Sequence, residues 1–332
     1  MCQGFPHYPM RGKRGACAKR SRERKLPEGI DIFKSYAIMD DNFHAILRKA
    51  GAKMRLTIFQ SVRAFYERVR PILLAREALN NLPVGILERG LSEEQTDWFM
   101  ATLTDDAERD VLVALRTPPQ NLILVSPDGP AHAGAVEELA RSLSNDAPLP
   151  GVIGEKELAL LFARHYAEAA GVAMQVQMEE RVYRLDAVAD VPRAGTLRPA
   201  TERDLYFLPY WQSAFEGDCF GTPGPLDAEA QRAMVVRGDL FLLEAEGQPV
   251  SLVGTTRQMP HGRSVGPVYT PPYFRGRGYA SSAVAQLSEE ILRRGNDYCA
   301  LFADLANPIS NGIYQKIGYR PLCDYAMIAF KA

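Results

Sequence analysis

Apolar residues recur every three to four positions after Phe59, at Val62, Phe65, Tyr66, Val69, Ile72 and Leu73, which predicts an amphipathic helix. A strand is expected just before it, after Met54. The pattern then changes to runs and alternations. Residues 98–103 and 111–117 read as antiparallel strands across the acidic turn at Asp105 and Asp106, and 122–125 as a third. Val136, Leu139, Ala140 and Leu143 trace a second helix. A short strand at 151–154, a helix over 155–170 stopped by Gly171, and an extended stretch at 172–185 follow. Pro192 and Gly195 mark 186–195 as a linker. Beyond it the order repeats in outline. A strand at 196–198, a helix over 201–215, a hairpin of 240–244 and 250–256, and a strand at 264–270 lead to a helix. Ala280, Ala283, Val284, Leu287 and Ile291 lie on one face of that helix. A strand at 298–303, a helix over 308–317 closed by Gly318 and a strand at 319–330 complete the chain.

This order predicts two copies of one α/β unit, residues 54–190 and 195–332. Residues 1–53 differ in character: Arg11, Lys13, Arg14, Lys19, Arg20, Arg22, Arg24 and Lys25 crowd their first half, so a poorly ordered basic extension is expected. A short helix is expected within 31–50, and Met54 is read as the biological start.

The densest chemistry lies between the strand at 264–270 and the helix after it. Pro271 and Pro272 end the strand, since neither donates a backbone hydrogen bond. In Arg275-Gly276-Arg277-Gly278, two residues without a Cβ let backbone N–H groups approach an anion, and two guanidinium groups add charge. The helix N-terminus behind them suits a phosphate or pyrophosphate. No Lys-Ser/Thr follows the glycines, and Ser281 stands where a dinucleotide motif needs its third glycine. In the first copy the same place reads Ser126-Pro127-Asp128-Gly129-Pro130, with an aspartate and no arginine, so that copy is expected not to hold the anion.

Arg275-x-x-Gly278-x-Ala280, entered through Val268-Tyr269-Thr270, resembles the acetyl-CoA pyrophosphate motif (Gln/Arg-x-x-Gly-x-Gly/Ala) of the GNAT N-acetyltransferase superfamily. The stretch from Asn307 through Tyr314 to Gly318-Tyr319 resembles that superfamily's last shared block. Within it, the chain looks closest to the two-domain, glycine-N-acyltransferase-like (FR47-like) branch. The resemblance covers 196–330. It implies an α/β (α+β) architecture of tandem GNAT-like folds, each a mixed, mostly antiparallel sheet flanked by helices, with the N-terminal copy degenerate. It also implies acetyl-CoA as co-substrate, no metal, and direct attack by a primary amine on the thioester in a ternary complex. The cofactor contacts it carries over fall on Val268, Tyr269, Thr270, Arg275, Gly276, Arg277, Gly278, Tyr279, Ala280 and Asn307, with strand backbone at Val268 and Thr270 left unpaired for the pantetheine arm.

Read from the residues, Ile309, Ile313 and Ile317 form a buried stripe and leave Tyr314 at its edge, where a phenol can protonate a departing thiolate or simply pack. Asn307 before Pro308 is an ordinary helix cap as well as a candidate cofactor contact. The strand at 264–270 contains no carboxylate. Glu216 and Asp218, read as loop residues, and Asp304 at a strand end are therefore the candidates for an acceptor anchor or base. Cys219 has no histidine near it in sequence and is not expected to act as a nucleophile.

Composition narrows the rest. A formal net charge of -1 excludes a broadly basic nucleic-acid binder. Five scattered cysteines form no disulfide framework, which points to a reducing cytoplasm, and five dispersed histidines form no zinc pattern. No apolar run approaches the roughly 20 residues that span a bilayer. The partner expected is a small-molecule amine or amino acid, with no nucleic acid and no membrane; the sequence leaves the oligomeric state open. Two further readings stay open: amino-acid conjugation with a larger acyl-CoA, and an acyl-CoA sensor without turnover.

Overall fold

The computed structural model describes residues 54–92, 97–128, 132–146 and 148–331, so the basic segment and the helix expected within it lie outside the described residues. Apolar runs buried on both faces, and alternation in the outer strands, yield in the first half β1 (Arg55–Ile58), β2 (Phe99–Thr104), β3 (Asp110–Arg116), β4 (Leu122–Val125), β5 (Gly151–Glu155) and β6 (Ala173–Leu185). Helical spacing yields α1 (Val62–Ala75), α2 (Asn81–Gly90), α3 (Ala133–Leu143) and α4 (Lys156–Ala170). Ser61 caps α1 by accepting from the N–H of Ala64, and Gly171 ends α4 in the left-handed conformation.

The second half contributes β7 (Thr196–Pro199), α5 (Leu208–Phe220), α6 (Ala228–Arg237), β8 (Leu240–Ala245), β9 (Gln248–Gln258), β10 (Gly262–Tyr269), α7 (Tyr279–Arg293), β11 (Tyr298–Asp304), α8 (Pro308–Ile317) and β12 (Arg320–Lys331). The helix expected over 201–215 is instead a 3-10 turn at Glu202–Asp204 followed by α5. Asp204 explains the break, because its carboxylate accepts from the N–H and hydroxyl of Thr201 and from Arg198 and so holds a tight capped turn. Two helices escaped the periodicity reading, α2 and α6. The weak apolar face of α6 buries only Gln231 and Val235.

The twelve strands of the described residues form one sheet in the order β1-β2-β3-β4-β5-β12-β6-β11-β10-β9-β8-β7. Only β4 with β5 and β10 with β11 run parallel; the other pairings are antiparallel. The last strand of each half crosses over. β12 lies between β5 and β6, and β6 lies between β12 and β11, so each half's sheet is completed by a strand of the other. The β6–β12 ladder runs from Arg320↔Arg184 to Lys331↔Ala173. This follows from burial: Tyr325, Ala326 and Ile328 of β12 are buried and need cover on both sides.

Helices α1, α2, α5 and α6 pack on one face of the sheet, and α3, α4, α7 and α8 on the other. Arg257 of β9 reaches across the first face to α2, where its Nε donates to Asn81 Oδ1 at 2.9 Å. A bulge in the β9–β10 ladder between Thr255 and Gln258 turns Arg257 to that face, while Thr255 bonds to Asp239. Gly85 of α2 has to be glycine, since a Cβ there would come within 2.6 Å of Arg257.

Candidate active site

The two parallel strand pairs differ in how far they stay together. In the first half β4 pairs with β5 from Leu122↔Val152 to Leu124↔Gly154, nearly its whole length. In the second half β10 pairs with β11 only from Gly262↔Tyr298 to Ser264↔Ala300; β10 then continues to Tyr269 and β11 to Asp304 with no pairing between them. The cause lies in β10. Gly266 takes φ 149°, Pro267 has no N–H, and the ladder with β9 slips by one residue before resuming at Val268↔Val253. A gap therefore opens through the sheet.

One end of the gap is the glycine turn. After Thr270 a 3-10 turn at Pro272–Phe274 leads to Gly276 and Gly278, both left-handed at φ 79° and 77°, with open space where a Cβ would project. Gly278 is the N-cap of α7 and offers no side chain to the first N–H groups, which point outward; the first bond along the turn is Ser282 N–H to Gly278 O at 3.0 Å. Arg277 makes no ion pair or hydrogen bond among the described residues. Arg275 does: its Nη2 meets Asp218 Oδ2 at 2.5 Å and its Nε donates to the Thr270 carbonyl at 2.8 Å. That carbonyl, expected to be unpaired, is occupied. Tyr269 turns its ring away from the gap into the core under α5, 6.2 Å from Trp211, whereas Val268 packs on the α7 side. Tyr279 packs edge-on against Phe274, and Ala280 is half-buried in the first turn of α7.

The other end is lined from both faces of the sheet. Tyr314 comes from α8, where the expected stripe is only partly right: Ile317 is buried, Ile309 is 75% exposed, and Tyr314 itself is buried between Tyr183 and Tyr319. Asn307 caps α8 by accepting from the N–H of Ser310 at 3.1 Å, with Pro308 in the first turn. Asn311 sets the helix against the sheet by donating to the Asp304 carbonyl and accepting from Tyr183 Oη, both at 2.7 Å. Four fully buried tyrosines elsewhere have partners for their hydroxyls: Tyr183 with Asn311, Tyr298 with Glu77, Tyr319 with Ser288, and Tyr325 with the Leu79 carbonyl. Among the described residues the Tyr314 hydroxyl has none. Burial, then the nearby Cys219 and Tyr183, raise its pKa, so the phenol keeps its proton.

Cys219 approaches from α5. Burial first, then the carboxylates of Asp218, Asp304, Glu180 and Glu216, push its thiol up to about 11. A neutral thiol is no nucleophile, and the four carboxylates around it define an acidic mouth. Glu216 and Asp218 belong to the last turns of α5, not to a loop; Gln212 donates to Glu216 Oε1 at 2.9 Å. Asp304 Oδ1 accepts from the N–H of Ala306 at 2.8 Å. Sequence reasoning passed over Glu180 and Arg257. Glu180 is the cross-strand partner of Asp304, and its carboxyl is raised by burial first and then by Asp304, with Arg257 opposing. Its signal was present: Met174, Val176, Met178 and Val182 alternate, and Glu180 occupies an apolar position in that series. Among the described residues no three His, Cys, Asp or Glu side chains are placed to hold a metal ion, and no helix is long and apolar enough to cross a membrane.

A parallel pair that parts beside a glycine-led helix, within one mixed and mostly antiparallel sheet built from two similar halves, is the arrangement of a tandem GNAT fold. Comparisons with known proteins agree. Residues 245–327 match the family model described as FR47-like protein. No curated protein matches the chain. Among solved structures, a GCN5-related N-acetyltransferase from Sphaerobacter thermophilus is 15% identical with a TM-score of 0.54, over 84% of this chain and 95% of that one. A Drosophila protein is 16% identical with a TM-score of 0.57, covering 85% and 99%. A tandem GNAT protein from the clavulanic acid biosynthesis pathway is 12% identical with a TM-score of 0.50, covering 84% and 98%. At these identities the likeness is one of fold.

Proposed function

We propose that the second half transfers an acetyl group from acetyl-CoA to a primary amine by direct attack. The observation that carries this reading is the β10–β11 gap, with the glycine turn of α7 at one end and the unpartnered Tyr314 hydroxyl in its opening. The pyrophosphate would meet the N–H groups of the turn and Arg277, and the pantetheine arm would run along the edge of β10 that β11 leaves unpaired, toward Val268. The amine attacks the thioester carbon, the carbonyl oxygen takes up charge, and collapse of the tetrahedral adduct expels the CoA thiolate. Tyr314, kept protonated by burial, donates to that sulfur. Cys219, also kept protonated, takes no acyl group.

The acidic mouth favours a cationic acceptor. Glu180, Glu216 and Asp304, with Asp218 matched by Arg275, attract an ammonium ion and repel the carboxylate of a free amino acid, so polyamines and aminoglycosides are the preferred acceptors over amino acids. Screening these three classes with acetyl-CoA, with release of free CoA as the readout, tests the assignment. Release with polyamines or aminoglycosides above the rate without amine supports it; acetyl-CoA binding with no release for any class would refute acyl transfer.

A further inference from the structure

We propose that Glu180, a residue of the first half, is the base that takes the proton from the acceptor's ammonium group in the second half's site. This rests on the acyl-transfer reading and adds a residue to it. β10 offers no carboxylate, although its parted segment is where the thioester would lie. The crossover supplies one. Because β6 pairs with β11, Glu180 stands directly opposite Asp304 at the end of β11 beside the gap, on the face where α5 brings Cys219 and Glu216. Neighbouring carboxylates are engaged: Glu216 by Gln212, Asp218 by Arg275, and Asp304 by the N–H of Ala306. Among the described residues the Glu180 carboxylate has no hydrogen bond and no ion pair. It is half-buried and so is not sealed in the core.

The surroundings suit proton removal. Arg257 stays nearby without pairing with Glu180, because its Nε is held by Asn81 and its Nη2 by Ser264 at 3.0 Å. Burial first, and Asp304 after it, raise the affinity of Glu180 for a proton, and the positive charge of Arg257 opposes that rise. The step balances as follows. One N–H bond of the ammonium breaks and its proton joins a Glu180 oxygen; the freed lone pair forms the C–N bond as the carbonyl π pair moves to oxygen. When the C–S bond breaks, the proton on the adduct's nitrogen passes by way of Tyr314 to the sulfur, and Glu180 returns its own proton to water. Amide, CoA thiol and one released proton result.

Hydroxylamine separates this role from a structural one, since it is already neutral at neutral pH and needs no base before it attacks. With acetyl-CoA, spermidine and hydroxylamine are compared as acceptors for the wild-type protein, Glu180→Gln and Glu180→Asp. Glu180→Gln is expected to lose about 10²-fold or more of kcat at saturating spermidine, beyond any rise in KM from the lost charge, and the acid limb of its pH profile, yet keep hydroxylamine turnover within about threefold. Glu180→Asp should recover part of the spermidine rate. Equal losses with both acceptors, or an unchanged spermidine rate, would overturn the proposal. If the wild-type protein binds acetyl-CoA but releases CoA to neither acceptor, acyl transfer itself falls and the base with it.

Discussion

Tyr314 differs from the fully buried Tyr183, Tyr298, Tyr319 and Tyr325, whose hydroxyls all have partners, in having none among the described residues. The ring is buried but the hydroxyl oxygen is not among the sealed, unsatisfied polar atoms of the described residues, so it stays open to a ligand without the cost of about 1–3 kcal/mol that a buried unpaired group carries. Tyr314→Phe preserves the ring packed between Tyr183 and Tyr319 and removes only the hydroxyl. The melting temperature should therefore hold or rise slightly. The affinity for acetyl-CoA, followed by calorimetry, should stay unchanged, while kcat with a good amine falls about 10²-fold. Wild-type kcat in this variant, with chemistry limiting, would exclude the phenol from the reaction. Asn307 illustrates the opposite outcome: the structure shows the cap that a plain sequence reading gives it.

At the scale of elements, the start of α7 and the end of α5 are coupled through Arg275 and Asp218. Both side chains are about half exposed, so the pair contributes little stability, on the order of 0–1 kcal/mol. Its consequence is for binding, since it leaves the two arginines of the turn unequal. Arg277 is free to meet a pyrophosphate, whereas Arg275 is already matched by a carboxylate and a carbonyl. Arg277→Glu should weaken acetyl-CoA binding about tenfold or more, and Arg275→Glu by distinctly less. Calorimetry giving the reverse order would show that Arg275 leaves Asp218 when the ligand arrives.

At the scale of the whole molecule, the halves are joined by polar contacts of the buried Glu77, one of them to the exposed His261, as well as by the exchanged strands. Glu77 after α1 accepts from the His261 N–H at 2.9 Å and from Tyr298 Oη at 3.0 Å, and its second oxygen lies 2.6 Å from His261 Nδ1. The hydrogen bond and charge of Glu77 raise the His261 pKa above its ordinary value. A raised histidine pKa stabilises the fold fully below the unfolded value, about 6.5, and that contribution is lost as pH rises through the folded pKa. The melting temperature should thus fall as pH rises above about 6.5, and His261→Ala should flatten that part of the curve. An identical pH dependence in the variant would show that the pair does not link the halves energetically.

How much of this was legible in the sequence depends on the range of the interaction involved. The glycine turn, the Asn307 cap, the stops at Gly171 and Gly318, and most strands follow from consecutive residues, because caps, left-handed glycines and hydrophobic periodicity act over a few positions. The repeat was visible for the same reason, as an order of local elements. Helix α5 was misplaced because Asp204 holds a tight turn through side-chain bonds to Arg198 and Thr201 that apolar spacing does not register. The tertiary structure alone decided the rest. It set the exchange of β6 and β12, the slip that parts β10 from β11, the bulge that turns Arg257 toward α2, and the pairing of Glu180 with Asp304. A strand's edge is open to any complementary partner, and which distant segment fills it depends on the burial available once both halves have folded together.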